Sequence, residues 1–163
     1  MVGPGLPFDT DKYFIVCPNV IGGCQGSTGP SSLAPDGKRW GSRFPTVTIR
    51  DMVAAELALT DALGISRYIL SVGPSLGGMR ALEWAIAHPT RVNAICTIGS
   101  SAVATGDQIG AASIQIRAIK SDPHFNSGDY YEQDQGPTEG MGIARRIAHL
   151  TYRTETEMDV RFG

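Results

Sequence analysis

The chain has 163 residues, which fits a single domain, and 42% of them are apolar, enough to supply a core. A net charge of −2 with no cluster of Lys or Arg leaves no electrostatic footprint for nucleic acid or an anionic membrane surface. No apolar stretch reaches the length of a membrane span, and Met1-Val2-Gly3-Pro4-Gly5 lacks the basic and apolar segments of a signal peptide.

In chain order, Tyr13-Phe14-Ile15-Val16-Cys17-Pro18 is predicted as a strand, followed by a Gly/Ser/Pro-rich loop from Gly22 to about Pro45. Thr48 and Asp51 form a capping-box pattern opening a helix with Ile49, Met52, Val53 and Leu57 on one side and Gly64 as its C-cap. Arg67 to Val72 is a short β-branched and aromatic run of the kind that makes a buried parallel strand. Leu76, Met79, Leu82 and Ile86 then recur at helical spacing until Pro89, and Val92 to Ile98 reads as the next strand. The order β-α-β-α-β implies a parallel sheet flanked by helices, with right-handed crossovers.

After Gly99 the pattern becomes helical with no strand between. Thr105 and Gln108 frame a second capping box before Ile109, Ala112, Ile116 and Ile119, and a turn-rich stretch from Ser121 to Pro137 leads into a helix from Met141 through Tyr152. Residues 1–103 are thus expected to form part of an α/β core and residues 104–163 part of a helical lid inserted into it. Cys17, Cys24 and Cys96 form no C-x-x-C pair, a usage that suits a reducing cytosol, with each thiol expected as a small buried hydrophobe.

Gly73-Pro74-Ser75-Leu76-Gly77 is a G-x-S-x-G sequence placed between the predicted strand and helix, where it reads as a nucleophile elbow. The turn would hold Ser75 in a strained conformation with its hydroxyl clear of the backbone, and the close approach of strand and helix would require glycine at 73 and 77. Pro74 fixes its own φ and pushes Gly73 toward an extended shape, which suits the end of a strand. The alternative is a plain turn in which Ser75 only caps the helix.

On the last predicted helix, Ile143, Ile147 and Leu150 share one face, while Arg145, His149 and Tyr152 share the opposite one. Arginine beside tyrosine suits a carboxylate, since the planar guanidinium grips both oxygens and the phenol adds a donor. The other reading is the solvated face of an amphipathic helix. Gly26-Ser27-Thr28-Gly29 lacks the lysine of a phosphate loop and is read as structural.

Several stretches together resemble the homoserine O-acetyltransferases, α/β-hydrolase-fold acyltransferases of methionine biosynthesis. They are the run from Cys17 to Ser32, Phe44 to Asp51, the elbow with Ala81-Leu82-Glu83-Trp84, Gly128 to Tyr131, and Ala144 to Tyr152. The resemblance implies a ping-pong transfer in which Ser75 takes the acetyl group of acetyl-CoA and passes it to the hydroxyl of L-homoserine. The backbone N–H of Leu76 would supply half of the oxyanion hole. It also implies that Arg145 and Tyr152 lie in the substrate pocket, that the enzyme is cytoplasmic and homodimeric, and that no cofactor or metal is needed, acetyl-CoA being a substrate. A succinyl donor, a serine acceptor, an esterase with water as acceptor, and a non-catalytic interaction protein are the alternatives.

In that family the triad Asp and His follow the lid, so His88, His124 and His149 do not stand in the place of the base. By the same resemblance the sequence is expected to be a central fragment, incomplete at both ends and inactive by itself.

Overall fold

A computed structural model describes residues 1–163. From the first residue to Thr48 the backbone is irregular, apart from a single 3-10 turn at Gly41–Arg43. Regular structure then follows in the order α1 (Ile49–Ala62), β1 (Tyr68–Pro74), α2 (Leu76–Ala87), β2 (Val92–Ile98), α3 (Gly106–Lys120), a 3-10 segment at Pro123–Gly128, α4 (Thr138–Thr151) and α5 (Glu155–Phe162).

Local signals explain the helix starts. The hydroxyl of Thr48 accepts the Asp51 N–H, and the Asp51 carboxylate accepts the Thr48 N–H at 2.8 Å, so two of the helix's orphan donors are satisfied reciprocally. Thr105 and Gln108 do the same for α3. Gly64 takes the left-handed conformation just past α1, at φ 71°.

β1 and β2 pair in parallel, with Tyr68 opposite Val92, Ser71 opposite Ile95 and Pro74 opposite Ile98. The right-handed crossover rule accounts for α2 packing back on the pair it connects. The core is small: Val53, Trp84 and Val92 are buried together, with Leu57, Tyr68, Ala85 and Ile95 half-buried against them. Trp84 meets Tyr68 edge-on at 5.8 Å, and its indole N–H donates to Glu56 at 2.7 Å. Glu56 is also ion-paired to Arg80, so α1 and α2 are locked by one carboxylate. The buried Thr60 hydroxyl bonds the Glu56 carbonyl and the Tyr68 phenol.

Two expectations fail here. Tyr13–Pro18 forms no strand, because β1 pairs with β2 alone and no neighbour offers this segment a ladder; Phe14 is left 76% exposed. The cysteines are free but exposed, not buried: Cys17 and Cys24 lie on irregular backbone, and Cys96 lies on a sheet of two strands whose surface is largely uncovered. The terminal helix α5 was not foreseen, although Thr154 caps it by accepting the Glu157 N–H.

α4 packs against α3 through a different face from the one the sequence suggests. Gly140 and Ala144 are its buried residues, while Ile143 and Leu150 remain exposed. The reason is how closely the two helices approach. A Cβ on Gly140 would lie 2.9 Å from the Ile119 Cα, so only the smallest residues fit along the seam. Asp122 closes the hairpin: its buried carboxylate accepts the N–H of Gly140 at 2.8 Å and of His124 at 2.8 Å.

Candidate active site

Ser75 sits between the last residue of β1 and the first of α2 with φ 52° and ψ −121°. A left-handed φ at a non-glycine residue costs about 1–3 kcal/mol and persists only where the surroundings fix it. Here they do. The Ser75 N–H donates to the Ile98 carbonyl at 2.9 Å, and the Ser75 carbonyl accepts from Gly78 at 2.9 Å and Met79 at 3.3 Å. The turn is therefore bonded to the end of the neighbouring strand and to the helix it opens.

The Ser75 side chain makes no capping hydrogen bond, which removes the reading of a serine that only caps a helix. Its hydroxyl is exposed at the carboxyl end of the parallel pair, the end at which α/β sheets bind ligands. Leu76 follows as the first residue of α2, and its backbone N–H has no partner in the chain. An unpaired donor at the positive end of a helix dipole, next to a free hydroxyl, is suited to stabilising negative charge that develops on an oxygen. No acidic residue in the first turn of α2 opposes that charge.

The glycine requirement is met at one expected position and one unexpected one. A Cβ on Gly73 would fall 2.6 Å from both the Cα and the carbonyl oxygen of Gly77, backbone that cannot step aside. A Cβ on Gly77 itself would meet only the Pro74 ring, at an ordinary 3.5 Å. Gly78 has the crowding expected of Gly77: a Cβ there would lie 2.6 Å from the Ser100 Cβ. Pro74 ends β1, as its fixed φ suits.

Arg145 and Tyr152 lie elsewhere, on and just after α4. Arg145 is exposed and forms no ion pair, and Tyr152 caps the helix, 79% exposed, with its N–H donated to the Ala148 carbonyl. No hydrogen bond joins either of them to the elbow. Their neighbour His149 bonds Arg153 at 2.6 Å. His124 lies 3.4 Å from Asp122 and His88 packs edge-on to Trp84, so none of the three histidines is bonded to Ser75. No cluster of His, Cys, Asp and Glu has the makings of a metal site.

The irregular N-terminal segment is tied to the α3–α4 region by two contacts. The Asp129 carboxylate accepts the N–H and the hydroxyl of Ser42, each at 2.8 Å, and Arg39 pairs with Glu132 at 2.7 Å. Gly128-Asp129-Tyr130-Tyr131 thus serves as an anchor. Tyr131 stacks on Tyr130, and burial pushes its phenol up to about 12. No signal in a single sequence marks such a long-range tie.

The alpha/beta hydrolase fold family matches over residues 2–163. Homoserine O-acetyltransferase from Thermobifida fusca is 58% identical over 164 aligned residues, which cover all of this chain and 43% of that protein. Among solved structures, homoserine O-acetyltransferase from Bacillus anthracis superposes with a TM-score of 0.87 at 28% identity, over 98% of this chain and 44% of that one. Esterase E22 superposes with a TM-score of 0.85 at 31% identity, over 98% of this chain and 45% of that one. The chain therefore spans less than half the length of each of these relatives.

Proposed function

Because the chain belongs to the alpha/beta hydrolase fold family, we propose that it carries the nucleophile of an acyltransferase that moves an acetyl group from acetyl-CoA to L-homoserine. The observation that carries this reading is the conformation of Ser75, held at φ 52° with its hydroxyl unbonded beside the free N–H of Leu76. The identity to homoserine O-acetyltransferases, 58% for the Thermobifida fusca protein, supports the choice of donor and acceptor.

In the first half-reaction the Ser75 Oγ bonds to the thioester carbonyl carbon, and the oxyanion that forms takes a hydrogen bond from the Leu76 N–H. The C–S bond then breaks, and the serine proton passes through a general base to the departing CoA sulfur. In the second, the homoserine hydroxyl oxygen bonds to the acetyl carbon, the ester bond to Ser75 breaks, and the proton from homoserine returns to the serine. No histidine of this chain contacts Ser75, so we assign the base to the part of the relatives' length that these residues do not span. The helices α3 and α4 act as a lid, with Arg145 and Tyr152 holding the homoserine carboxylate when the lid meets the elbow. No cofactor takes part, and the complete enzyme is a cytoplasmic homodimer.

Hydrolysis is the competing reading, and the likeness to esterase E22 favours it, since an acyl-serine discharged by water needs the same elbow. Product analysis with acetyl-CoA, with and without homoserine, separates the two. A transferase yields O-acetylhomoserine and releases CoA faster when homoserine is added, whereas an esterase yields acetate at a rate indifferent to it.

A further inference from the structure

The geometry points to Ser100 as a positioning residue for the nucleophile, acting through Gly78. This rests on the reading of Ser75 as the acylated group. Three contacts form a closed circuit around the elbow. The Ile98 carbonyl at the end of β2 holds the Ser75 N–H at 2.9 Å, and the Ser75 carbonyl takes the Gly78 N–H at 2.9 Å. Two residues beyond Ile98, the half-buried Ser100 packs its side chain onto Gly78, so closely that a Cβ there would lie 2.6 Å from the Ser100 Cβ and 2.9 Å from its Oγ.

The hydroxyl of Ser100 makes no hydrogen bond within the chain, so what Ser100 contributes at Gly78 is bulk close to the main chain. A Cβ cannot rotate away as the tip of a long side chain can. Ser100 therefore fixes how deep the first turn of α2 settles against β2, and with it where Ser75 Oγ and the Leu76 N–H stand relative to each other. Gly99, with φ 54°, turns the chain so that Ser100 comes back over the elbow. The pair Gly78 and Ser100 is thus matched at this contact, and a Cβ at 78 would also stand 3.1 Å from the Gly73 carbonyl oxygen, a tighter fit that β1 must take up by a small shift.

The test is a double-mutant cycle in the full-length protein, read as the rate of acetylation of Ser75 by saturating p-nitrophenyl acetate, with thermal melting followed in parallel. Gly78→Ala is expected to lower that rate about a hundredfold, the scale set by a misplacement of about 1 Å. Ser100→Gly alone is expected to cost several-fold by loosening the turn. The double variant is expected to be acetylated at least about tenfold faster than Gly78→Ala and to approach Ser100→Gly, although each change alone is harmful. Gly78→Ala acetylated at the unsubstituted rate, or a double variant slower than Ser100→Gly by the same factor as Gly78→Ala is slower than the unsubstituted protein, overturns the proposal. If Gly78→Ala does not fold, a double variant that folds and is acetylated like Ser100→Gly supports it, and one that also fails to fold overturns it. An unsubstituted protein that forms no acetyl-Ser75 overturns both this proposal and the functional reading. Acetyl-Ser75 that forms but is not passed to homoserine overturns only the acceptor.

Discussion

Ser75 and Ile98 are joined by a hydrogen bond from the serine N–H to the carbonyl that ends β2, at 2.9 Å. The bond ties the strained residue to the neighbouring strand, so the elbow depends on the parallel pairing as well as on its own sequence. Without that anchor, relaxation of Ser75 from φ 52° to the extended backbone seen at the caps Thr48 and Thr105 would release about 1–3 kcal/mol and carry the hydroxyl into a capping position.

The two glycines of the G-x-S-x-G pattern are expected to respond differently to substitution. Gly73→Ala drives a methyl into the Gly77 backbone and should abolish acetylation of Ser75 or prevent folding. Gly77→Ala meets only the edge of Pro74 and should leave acetylation within a few-fold, with stability equal or higher by up to ~1 kcal/mol from the helix propensity of alanine. Mass spectrometry of the acetylated protein and urea melts check both. Equal loss in the two variants would contradict the geometry.

Trp84 is 3% exposed and packs between Val53 and Val92 at the centre of a core with few other members. Trp84→Ala should cost about 3–5 kcal/mol, measured by urea unfolding. Trp84→Phe should lose less, because it keeps most of the contact area and gives up the 2.7 Å bond to Glu56, a carboxylate that Arg80 still pairs.

Two carboxylates set the acid limit of the α3–α4 region. The Gly140 N–H, followed by that of His124, holds Asp122 below the ordinary carboxylate range. The N–H of Ser42, then its hydroxyl, does the same for Asp129. Since the folded values lie below the unfolded value of about 3.9, their contribution is fully present above about pH 4 and is lost as the pH falls through the depressed folded values. Melting temperature should be flat from pH 7 to 5 and fall steeply below 4. Asp122→Asn should melt lower at pH 7 and show a shallower acid decline; an unchanged slope would remove Asp122 from this role.

The local parts of this fold were legible because their causes are local. Thr48 with Asp51 and Thr105 with Gln108 declare helix starts by spacing alone, and Val92–Ile98 matched its predicted bounds because a β-branched run beside the elbow strand has a ready partner. Tyr13–Pro18 misled for the opposite reason: its composition suits a strand, but pairing is a property of two segments. The face of α4 was misassigned because hydrophobic periodicity marks large residues, whereas this seam is made by Gly140 and Ala144. Of the candidate site, Ser75 and Leu76 were readable from the motif and its flanks. Gly78 was visible as a second glycine after the motif, but its need could not be read without Ser100 in place. Asp122 carries a local signal, an Asp directly before a proline at the start of a helical turn, but its reach to the Gly140 N–H is not local.

Arg145, exposed and without an ion pair, is free to take a carboxylate. In the full-length protein Arg145→Lys keeps the charge and loses the bidentate geometry, and should lower kcat/KM for homoserine about ten- to a hundredfold. Acetylation of Ser75 by acetyl-CoA should be unaffected, because in a ping-pong cycle the donor reacts before the amino acid binds. Stopped-flow measurement of the two half-reactions checks this; equal slowing of both, or of neither, would make Arg145 a solvated helix residue.

The central claim is that Ser75 carries the acetyl group, and intact-protein mass spectrometry after brief incubation of the full-length protein with acetyl-CoA tests it most directly. The account predicts one added acetyl group that maps to the peptide containing Ser75, disappears on addition of homoserine as O-acetylhomoserine forms, and is absent from Ser75→Ala. Labelling of Ser75→Ala to the same extent as the unsubstituted protein would contradict it.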